Sequence, residues 1–326
     1  MSSQTESLTG LKRFTTSKSF MKRFNLILKM IVSVFLIFFS IFPVLWIISS
    51  SLNPSNSLAS AKLIPDNWGF DNFYILIPTV DSVVRQWSVT LLGNDIFPAI
   101  PEGRFVFPFW TWWWNSIKIA SISTILSLSI TTMAAFAFSR FRFAGRQTML
   151  KAILLIQVFP NLLALVAIFL MISEVGDIIP GLGLDTHAGL ILVYMGGAMG
   201  LNIWLMKGFL DTIPRDIDES AMVDGASQWQ IFTQLILPLL RPILVVVGIL
   251  SFIGTYGDFV LARILLKSQD QYTLMVGLQI FTSGQFSQKW GAFSVGALIG
   301  ALPIMIIYLA LQDQIVGGLT QGAVKG

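Results

Sequence analysis

The sequence predicts an all-α membrane protein with six transmembrane helices. Apolar residues make up 54% of its 326 residues and charged residues only 12%, about half the charge of an ordinary soluble domain. The chain also contains six long apolar runs, most of them near the ~20 residues that an α-helix needs to cross a bilayer. Such a composition excludes a soluble or a disordered protein. The small net charge of +4 also argues against nucleic-acid binding.

The predicted spans occupy residues 30–49, 119–139, 152–173, 188–206, 242–257 and 290–312. The fifth is short, but it continues as a mostly apolar run to Leu266 through Asp258 and Arg263. Proline inside a span predicts a kink, and this applies to Pro43, Pro160 and Pro303. Alternating strands of the kind that build membrane barrels are absent from the sequence, so helices are the expected spanning elements.

Charge in the loops predicts the orientation, because Lys and Arg concentrate on the cytoplasmic side. With the N-terminus inside, two thirds of the 21 lysines and arginines lie on the inner side. Both termini are therefore predicted to be cytoplasmic. The predicted division is an N-terminal tail (1–25), a first transmembrane helix (26–50), an external loop (51–110), a five-helix core (111–316) and a C-terminal tail (317–326).

The sequence lacks the residues of most catalytic and energy-coupling sites. It has no cysteine and one histidine, which argues against a metal site or a catalytic triad. No lysine follows a glycine, so a phosphate-binding P-loop is absent. Asp258 and Arg263 are the only charges within a probable span, whereas ion-driven carriers place such residues near mid-membrane. We therefore predict no catalytic residue, metal or cofactor in this chain, and an energy source in another polypeptide.

The internal loop 208–241 predicts two short helices joined by a sharp turn. Pro214 suits the first turn of a helix, and the acidic residues after it favour the positive end of the helix dipole. Gly225 suits the left-handed residue that ends a helix. Ser227 and Gln230 have the spacing of a capping box, which would start the second helix. Pro238 and Pro242 would then bend the chain into the fifth span.

The first of these helices has features of a docking element. Ser220 and Ala221 predict a low-profile face, Ile217 and Met222 supply apolar contacts, and Glu219 offers one anchoring charge. Such a helix can seat in a groove of a partner protein. On these residues alone, an amphipathic turn lying on the membrane surface is an equally good interpretation.

The loop resembles a long motif of ABC-importer permeases. Glu219-Ser220-Ala221, three residues, Gly225, nine residues and Leu235-Ile236-Leu237-Pro238 is similar to their EAA loop, with Ser220 and Leu235 as conservative departures. Further segments resemble the MalG-type permeases of maltose/maltodextrin importers. These are Phe159-Pro160, residues 185–189, residues 249–253 and the C-terminus 318–326. The first external loop and the N-terminal tail are longer than this family leads us to expect.

The resemblance implies a type I ABC importer permease (MetI-like) fold in the cytoplasmic (inner) membrane of a bacterium. It implies three kinds of protein partner besides lipid: a second related permease, two ATP-binding-cassette ATPase subunits that bind the ATP, and an external sugar-binding protein. The residues implied to couple to an ATPase are Asp218, Glu219, Ser220, Ala221, Asp224, Gly225 and Pro238. The open alternatives are a permease for another oligosaccharide such as trehalose, a self-contained secondary carrier and a structural scaffold.

Two further contact regions follow from the same resemblance. In the C-terminal tail, the residues implied to reach the ATPases are Thr320, Gly322, Lys325 and Gly326. In the external loop 267–290, those implied to meet the binding protein are Ser283, Gly284, Gln285, Phe286, Gln288 and Trp290. From the residues alone, the second region could equally be an ordinary hydrated hairpin.

Some remaining features favour structural roles. The tryptophans Trp110, Trp112, Trp113 and Trp114 predict an interfacial aromatic belt. Two G-x-x-x-G pairs, at 196–200 and 296–300, predict close helix packing. A structural hydrogen bond is expected for His187. For Asp258, exposure to the transport path and a local pair with Arg263 are both open.

Overall fold

A computed structural model describes residues 18–54, 63–76, 89–91, 94–97, 107–158, 160–283 and 288–323. Its elements in chain order are α1 (Lys18–Leu52), α2 (Asp71–Leu76), β1 (Val89–Leu91), β2 (Asn94–Phe97), α3 (Phe109–Arg140), α4 (Arg146–Val158), α5 (Asn161–Ile178), α6 (His187–Leu210), α7 (Asp216–Val223), α8 (Gln228–Leu239), α9 (Arg241–Tyr256), α10 (Val260–Leu265), α11 (Leu274–Gln279) and α12 (Trp290–Ala323). A 3₁₀ turn, Pro180–Leu182, separates α5 from α6. Within α8, Ile231–Ile236 is π-helical.

Four to six of these elements can cross a membrane. Among the described residues, α1, α3, α6 and α12 are long and apolar enough to do so singly. The pairs α4–α5 and α8–α9 also qualify, but each is bent, by 107° and 75° respectively. Each of the six predicted apolar runs therefore coincides largely with one helix or with a bent pair of helices. We expected kinked but continuous helices, and the third run instead breaks into two helices.

Proline explains both bends. Pro160 has no N–H to donate and disfavours helical geometry at the residue before it, so α4 ends at Val158 and α5 starts at Asn161. Pro242 occupies the first turn of α9, where its missing N–H costs nothing. The predicted bend into the fifth span is thus confirmed. After Tyr256 the helix stops at Gly257 and resumes as α10, so the apolar run to Leu266 is not one helix.

The last helix is longer than its apolar run. The predicted span ended at residue 312, but α12 continues to Ala323. Thr320 and Gly322 therefore belong to the same helix as the span. Lys325 and Gly326 lie outside the described residues.

The segment 51–110, which the sequence predicts to be external, contains short helical and extended pieces. Strands β1 and β2 pair antiparallel in a two-stranded sheet, and the other regular elements of the described residues are helical. Helix α2 is anchored to the end of α1 by Asn72, whose amide donates to the carbonyls of Ser51 (3.1 Å) and Asn53 (2.8 Å). A side chain at Gly291 would clash with Asn72, so α12 approaches the same point closely.

Helix α3 forms the centre of the fold, because α6 and α9 pack along its length. One apolar cluster surrounds its first turns and includes Phe109, Trp112 and Leu278. A second surrounds its last turns and includes Phe136, Leu210 and Ile236. By contrast, the side chains of α1 from residue 21 to 45 are exposed in this chain. Helix α1 therefore presents its apolar surface outward along most of its length.

One of the two predicted small-residue contacts is confirmed. A Cβ at Gly296 or Gly300 would lie 2.3 or 2.6 Å from the side chains of Leu278 and Leu274, so α12 packs closely on α11. The first pair behaves differently. Gly200 lies against the side chain of Gln157, whereas Gly196 has open space around it.

Candidate functional site

The loop between α6 and α9 forms the predicted helix–turn–helix. Helix α7 carries Asp216, Asp218 and Glu219 in its first turn. It ends in a Schellman motif: the N–H of Ala226 donates to the Ala221 carbonyl (2.9 Å), and that of Gly225 to the Met222 carbonyl (3.1 Å). Gly225 has φ +83°, which is the left-handed conformation that the sequence predicts. Pro214 lies just before the helix rather than in its first turn.

The second helix of the loop begins as predicted. Ser227 and Gln230 form a reciprocal capping box, with the Ser227 N–H donating to the Gln230 side chain (2.8 Å) and the Gln230 N–H donating to the Ser227 hydroxyl (3.3 Å). Pro238 lies at the end of this helix, close to the bend into α9. The turn between α7 and α8 is therefore fixed from both sides.

The predicted contact residues divide between two faces of α7. Glu219 and Ser220 are exposed, as are Asp224 and Gly225 at the end of the helix. Asp218 and Ala221 instead face inward and are 8% and 9% exposed. Ala221 packs in the cluster around Phe136, Leu210 and Ile236. The expected low-profile outer face of Ser220 and Ala221 is thus wrong for Ala221, because a small residue is what lets α7 lie close to that cluster.

An exposed apolar patch lies on α7 and α8. It consists of Ile217, Met222, Val223 and Trp229, with Val223 88% and Trp229 64% exposed. We call these four residues the docking patch. The Gln228 amide contacts the Met222 sulfur at 3.3 Å and links the two helices beneath it. Val223 and Trp229 were not singled out from the sequence. Trp229 lies beyond the turn at Gly225, so its position relative to Met222 and Val223 depends on that turn.

A polar junction holds α7 against the end of α3. The Arg140 Nε lies 2.5 Å from the Asp218 Oδ2, and both side chains are largely buried. The other nitrogens of Arg140 donate to the carbonyls of Leu210 (3.4 Å) and Ile213 (3.2 Å). Burial raises the pKa of Asp218 above its usual range, although Arg140 and Arg215 act in the opposite direction. The two arginines therefore favour the ionised form of Asp218, whereas burial opposes it.

Two more contacts extend this junction. Arg215 donates to the Ser139 carbonyl (2.8 Å), and the Ser139 hydroxyl donates to Asp211 (2.7 Å). Asp211 also pairs with Lys207 at 2.5 Å. We call Ser139, Arg140, Asp211, Arg215 and Asp218 the α3–α7 junction. The sequence did not single out Arg140 as a partner of Asp218, because the two residues are far apart in the chain.

At the opposite end of α3, three side chains bind the backbone of residues 269–274. The Trp112 indole donates to the Gln269 carbonyl (2.7 Å). The Asn115 amide donates to the carbonyls of Asp270 (2.8 Å) and Tyr272 (3.1 Å), and the Leu274 N–H donates to the Ser116 hydroxyl (2.8 Å). Trp112 is fully buried, so it is a core residue and not part of an interfacial belt. Trp110 and Trp114 are exposed, as a belt requires.

His187, the first residue of α6, contacts the same segment, and Asp185 just before this helix binds residues 267–268. His187 Nε2 lies 2.9 Å from the Gln271 carbonyl, which confirms the structural hydrogen bond expected for this histidine. Asp185, at φ 60°, accepts from the N–H groups of Lys267 (2.8 Å) and Ser268 (2.9 Å) and from the Ser268 hydroxyl. Burial alone would raise the pKa of Asp185, but these hydrogen bonds and the Lys267 charge together hold it below its usual range.

The hydrogen bonds that Asp185 accepts from residues 267–268 should weaken in acid. A carboxyl whose pKa is lowered on folding stabilises the fold above its unfolded pKa of about 3.9, and this contribution disappears as pH falls through the folded value. We expect hydrogen exchange of residues 267–268 to show protection at pH 7 that drops in acid, after correction for intrinsic rates. Asp185→Asn tolerates the positive φ but lacks the charge, so its protection should be lower and independent of pH between 2 and 7. Equal protection in both proteins would contradict this role.

The structure describes part of the segment 282–290, which belongs to the loop that the sequence predicts to be external. The Ser283 hydroxyl donates to the Ile280 carbonyl (3.2 Å), and the Trp290 indole donates to the Gln288 side chain (2.9 Å) at the start of α12. Gly284, Gln285 and Phe286 lie outside the described residues. The loop thus leaves from α11, which packs on Trp112 and α12.

A cavity of about 530 Å³ lies between α5, α6 and α10. Its lining is mostly apolar, and Asp258 contributes a carboxylate. Asp258 accepts from the Tyr194 hydroxyl (2.8 Å) and from the Ala262 N–H (3.1 Å). The side chain of Arg263 instead lies over the Tyr272 ring, 6.0 Å from its centre. The suggested pair between Asp258 and Arg263 is therefore not the contact that this carboxylate makes.

Comparison with known proteins agrees with these features. The family described as binding-protein-dependent transport system inner membrane component matches residues 127–320, a segment that includes both helices of the docking patch. The maltose/maltodextrin transport system permease protein MalG of Vibrio vulnificus is 43% identical over 286 residues, covering 88% of this chain and 91% of that protein. The MalG of Escherichia coli K12 is 40% identical over 288 residues, covering 87% and 90%.

A solved structure shares the fold. It is described as the crystal structure of a bacterial ABC transporter involved in the import of the acidic polysaccharide alginate, and one of its chains superposes with a TM-score of 0.69 at 20% identity. The match covers 91% of this chain and 98% of that one. With this fold, the family match over more than half of its length and relatives above 40% identity, the chain belongs to the binding-protein-dependent transport system inner membrane components.

Proposed function

We propose that this chain is a permease subunit of an ATP-binding-cassette importer that moves maltose or maltodextrin inward by alternating access. The names of relatives that are 40–43% identical over nearly the whole chain support this substrate class. The observation that carries the mechanism is the docking patch, an apolar surface on a helix pair that the α3–α7 junction holds in place. In this proposal the sugar path is shared with a second, related permease, both termini are cytoplasmic, and partner subunits bind and hydrolyse ATP.

The docking patch supports an ATPase as the partner at this surface. Val223 is 88% exposed at the end of a short helix. Burying such a side chain in an apolar groove is favourable, because its surface is removed from water. Glu219 is exposed beside it and supplies a negative charge for a basic residue of the groove. The side chain of Ser220 is short, so it projects little from the outer surface of the helix. Asp218 and Ala221 serve this site from the inner face, where they fix the position of the helix.

The other proposed contacts lie at three separate places. Ser283, Gln288 and Trp290 flank the loop that would meet an external sugar-binding protein. Thr320 and Gly322, at the end of α12, would lead the terminal residues toward the ATPases. The exposed apolar side chains of α1 support contact with lipid and with the second permease, because so large an apolar surface is unfavourable in water.

Val223→Asp should separate the ATPase subunits from an otherwise intact permease. A carboxylate at this exposed position leaves the packing of this chain unchanged but is costly to bury in an apolar groove. We expect the amount of ATPase that copurifies to fall about tenfold, which corresponds to ~1.4 kcal/mol, and ATP-dependent uptake of radiolabelled maltose to fall with it. Val223→Ile keeps the apolar surface and is the matched control.

The same preparation distinguishes the alternatives. If the unchanged chain binds no ATPase and takes up sugar without ATP, it is a secondary carrier. If uptake and ATPase stimulation respond to trehalose or another oligosaccharide instead of maltose, the substrate assignment is wrong and the coupling surface stands. If Val223→Asp binds ATPase as well as Val223→Ile does, the docking patch is not the contact surface.

A further inference from the structure

Helix α3 is anchored by polar contacts at both of its ends. At one end, Ser139 and Arg140 belong to the α3–α7 junction. At the other, Trp112, Asn115 and Ser116 hold the backbone of residues 269–274. That segment leads directly into α11 and the external loop 282–290. A single helix therefore contacts both the docking helix and the base of the external loop.

The helix between these contacts lacks the residues at which sharp bends usually arise. Its 32 residues contain neither glycine nor proline, and at 1.5 Å per residue they span about 48 Å. The other single spans differ: α1 and α12 contain proline, and α6 contains several glycines. Since sharp bends arise mainly at such residues, α3 is the span best suited to move as one body. The buried side chains along α3, such as Ile119 and Ala135, also leave it little freedom to shift alone.

The ion pair between Arg140 and Asp218 is the contact best suited to attach α7 to α3. Arg140 donates to the carbonyl of Leu210 at the end of α6 and to that of Ile213 just after it, and its Nε lies beside the carboxylate of Asp218 on α7. The planar guanidinium can face these three groups at the same time, whereas the ammonium group of a lysine lacks this planar arrangement of N–H groups. Removing one member of a buried ion pair leaves the other charge uncompensated, which costs several kcal/mol, in contrast to the small effect of a surface pair.

We propose that the Arg140–Asp218 pair fastens α7 to α3, and that α3 transmits displacement of α7 to residues 269–274. Arg140 and Asp218 are positioning residues in this scheme, because neither touches the sugar or the ATP. The proposal rests on the proposed docking of an ATPase at α7. It adds a route by which events at that surface reach the opposite side of the protein.

Asp218→Asn tests the attachment by removing the charge while keeping the shape of the side chain. In complexes that assemble with their ATPases, we expect ATP hydrolysis to continue while sugar uptake per ATP falls at least about fivefold, the lower range of typical coupling energies. Arg140→Lys keeps the charge but loses the fork, so its ratio should lie between those of Asp218→Asn and the unchanged protein. Arg142 is exposed and lies two residues after Arg140. Arg142→Gln is therefore the control and should leave the ratio unchanged.

Spin-label distances test the transmission itself. The chain has no cysteine, so labels can be placed at Asp216→Cys on α7 and at Trp114→Cys near the start of α3, both exposed, with cysteine-free partner subunits. If α7 and α3 move together, the distance between the labels stays single and constant when ATP binds. With Asp218→Asn added, the distribution should broaden or shift with ATP.

The outcomes separate this inference from the docking proposal. If Asp218→Asn assembles with a normal uptake-to-hydrolysis ratio and an unchanged distance distribution, the attachment is refuted and the docking surface stands. A distance that changes on ATP binding in the otherwise unchanged protein also refutes it, since α7 then moves against α3. If no ATPase associates with the unchanged chain, both proposals fail.

Discussion

Replacing Trp112 with alanine is expected to destabilise the protein by about 3–5 kcal/mol, the usual cost of truncating a buried aromatic side chain. Trp112 is fully buried and its ring packs beside Phe107 and Phe281. A Cβ at Gly277 would lie only 2.1 Å from the indole, so α11 lies directly against the ring. Alanine would leave a cavity between α3 and α11 and would also remove the hydrogen bond to Gln269.

Thermal unfolding of the purified protein in detergent measures this effect, and Trp112→Phe separates its two parts. Phenylalanine keeps most of the packing but cannot donate to the Gln269 carbonyl, which should cost about 1 kcal/mol. We expect the midpoint temperature to be highest for the unchanged protein, lower for Trp112→Phe and lowest for Trp112→Ala. Trp114→Ala, at an exposed position, is the control and should shift the midpoint least. A Trp112→Ala protein as stable as this control would show that the ring is not a core element.

Gly225→Val should nearly abolish coupling between ATP hydrolysis and uptake. A Cβ at Gly225 meets nothing within 4 Å, so the effect arises from its φ of +83° alone. A β-branched residue is strained there by about 1–3 kcal/mol, and relief of the strain breaks the Schellman motif that sets α8 against α7. Because this turn sets the position of Trp229 relative to Met222 and Val223, we expect uptake to fall roughly tenfold or more.

Gly225→Asn is the matched variant, because asparagine accepts the left-handed conformation with little strain. Its uptake should stay within about twofold of normal, while both variants insert into the membrane in similar amounts. ATP-dependent uptake in vesicles, normalised to the permease present, is the measurement. Equal losses in both variants would assign the effect to side-chain bulk at the docking surface instead of to the backbone.

Local sequence signals predicted the docking helices well. The Schellman glycine at Gly225 and the capping box at Ser227 act within a few residues of chain, so their geometry follows from the sequence around them. The apolar runs located every helix that can cross a membrane, because run length reflects the thickness of the bilayer. The positions of these elements therefore needed no information about neighbours.

The faces of those helices were predicted less well. The sequence suggested Ser220 and Ala221 as one outer face, yet Ala221 lies on the inner side against Phe136 and Ile236. It placed Trp112 in an interfacial belt, yet the ring is buried. A small residue and an aromatic one suit either environment, so their positions depend on which neighbour the helix packs against.

The sequence by itself determined that this chain is helical, membrane-embedded and free of the usual ATP-binding loop, because composition, run length and capping act locally. Only the tertiary structure decided which charges meet. Arg140 and Asp218 are 78 positions apart, and their pairing follows from α6 returning the chain to the end of α3. The same packing places Trp112 against Gln269. Contacts at such separations depend on how the helices assemble, and no local pattern encodes them.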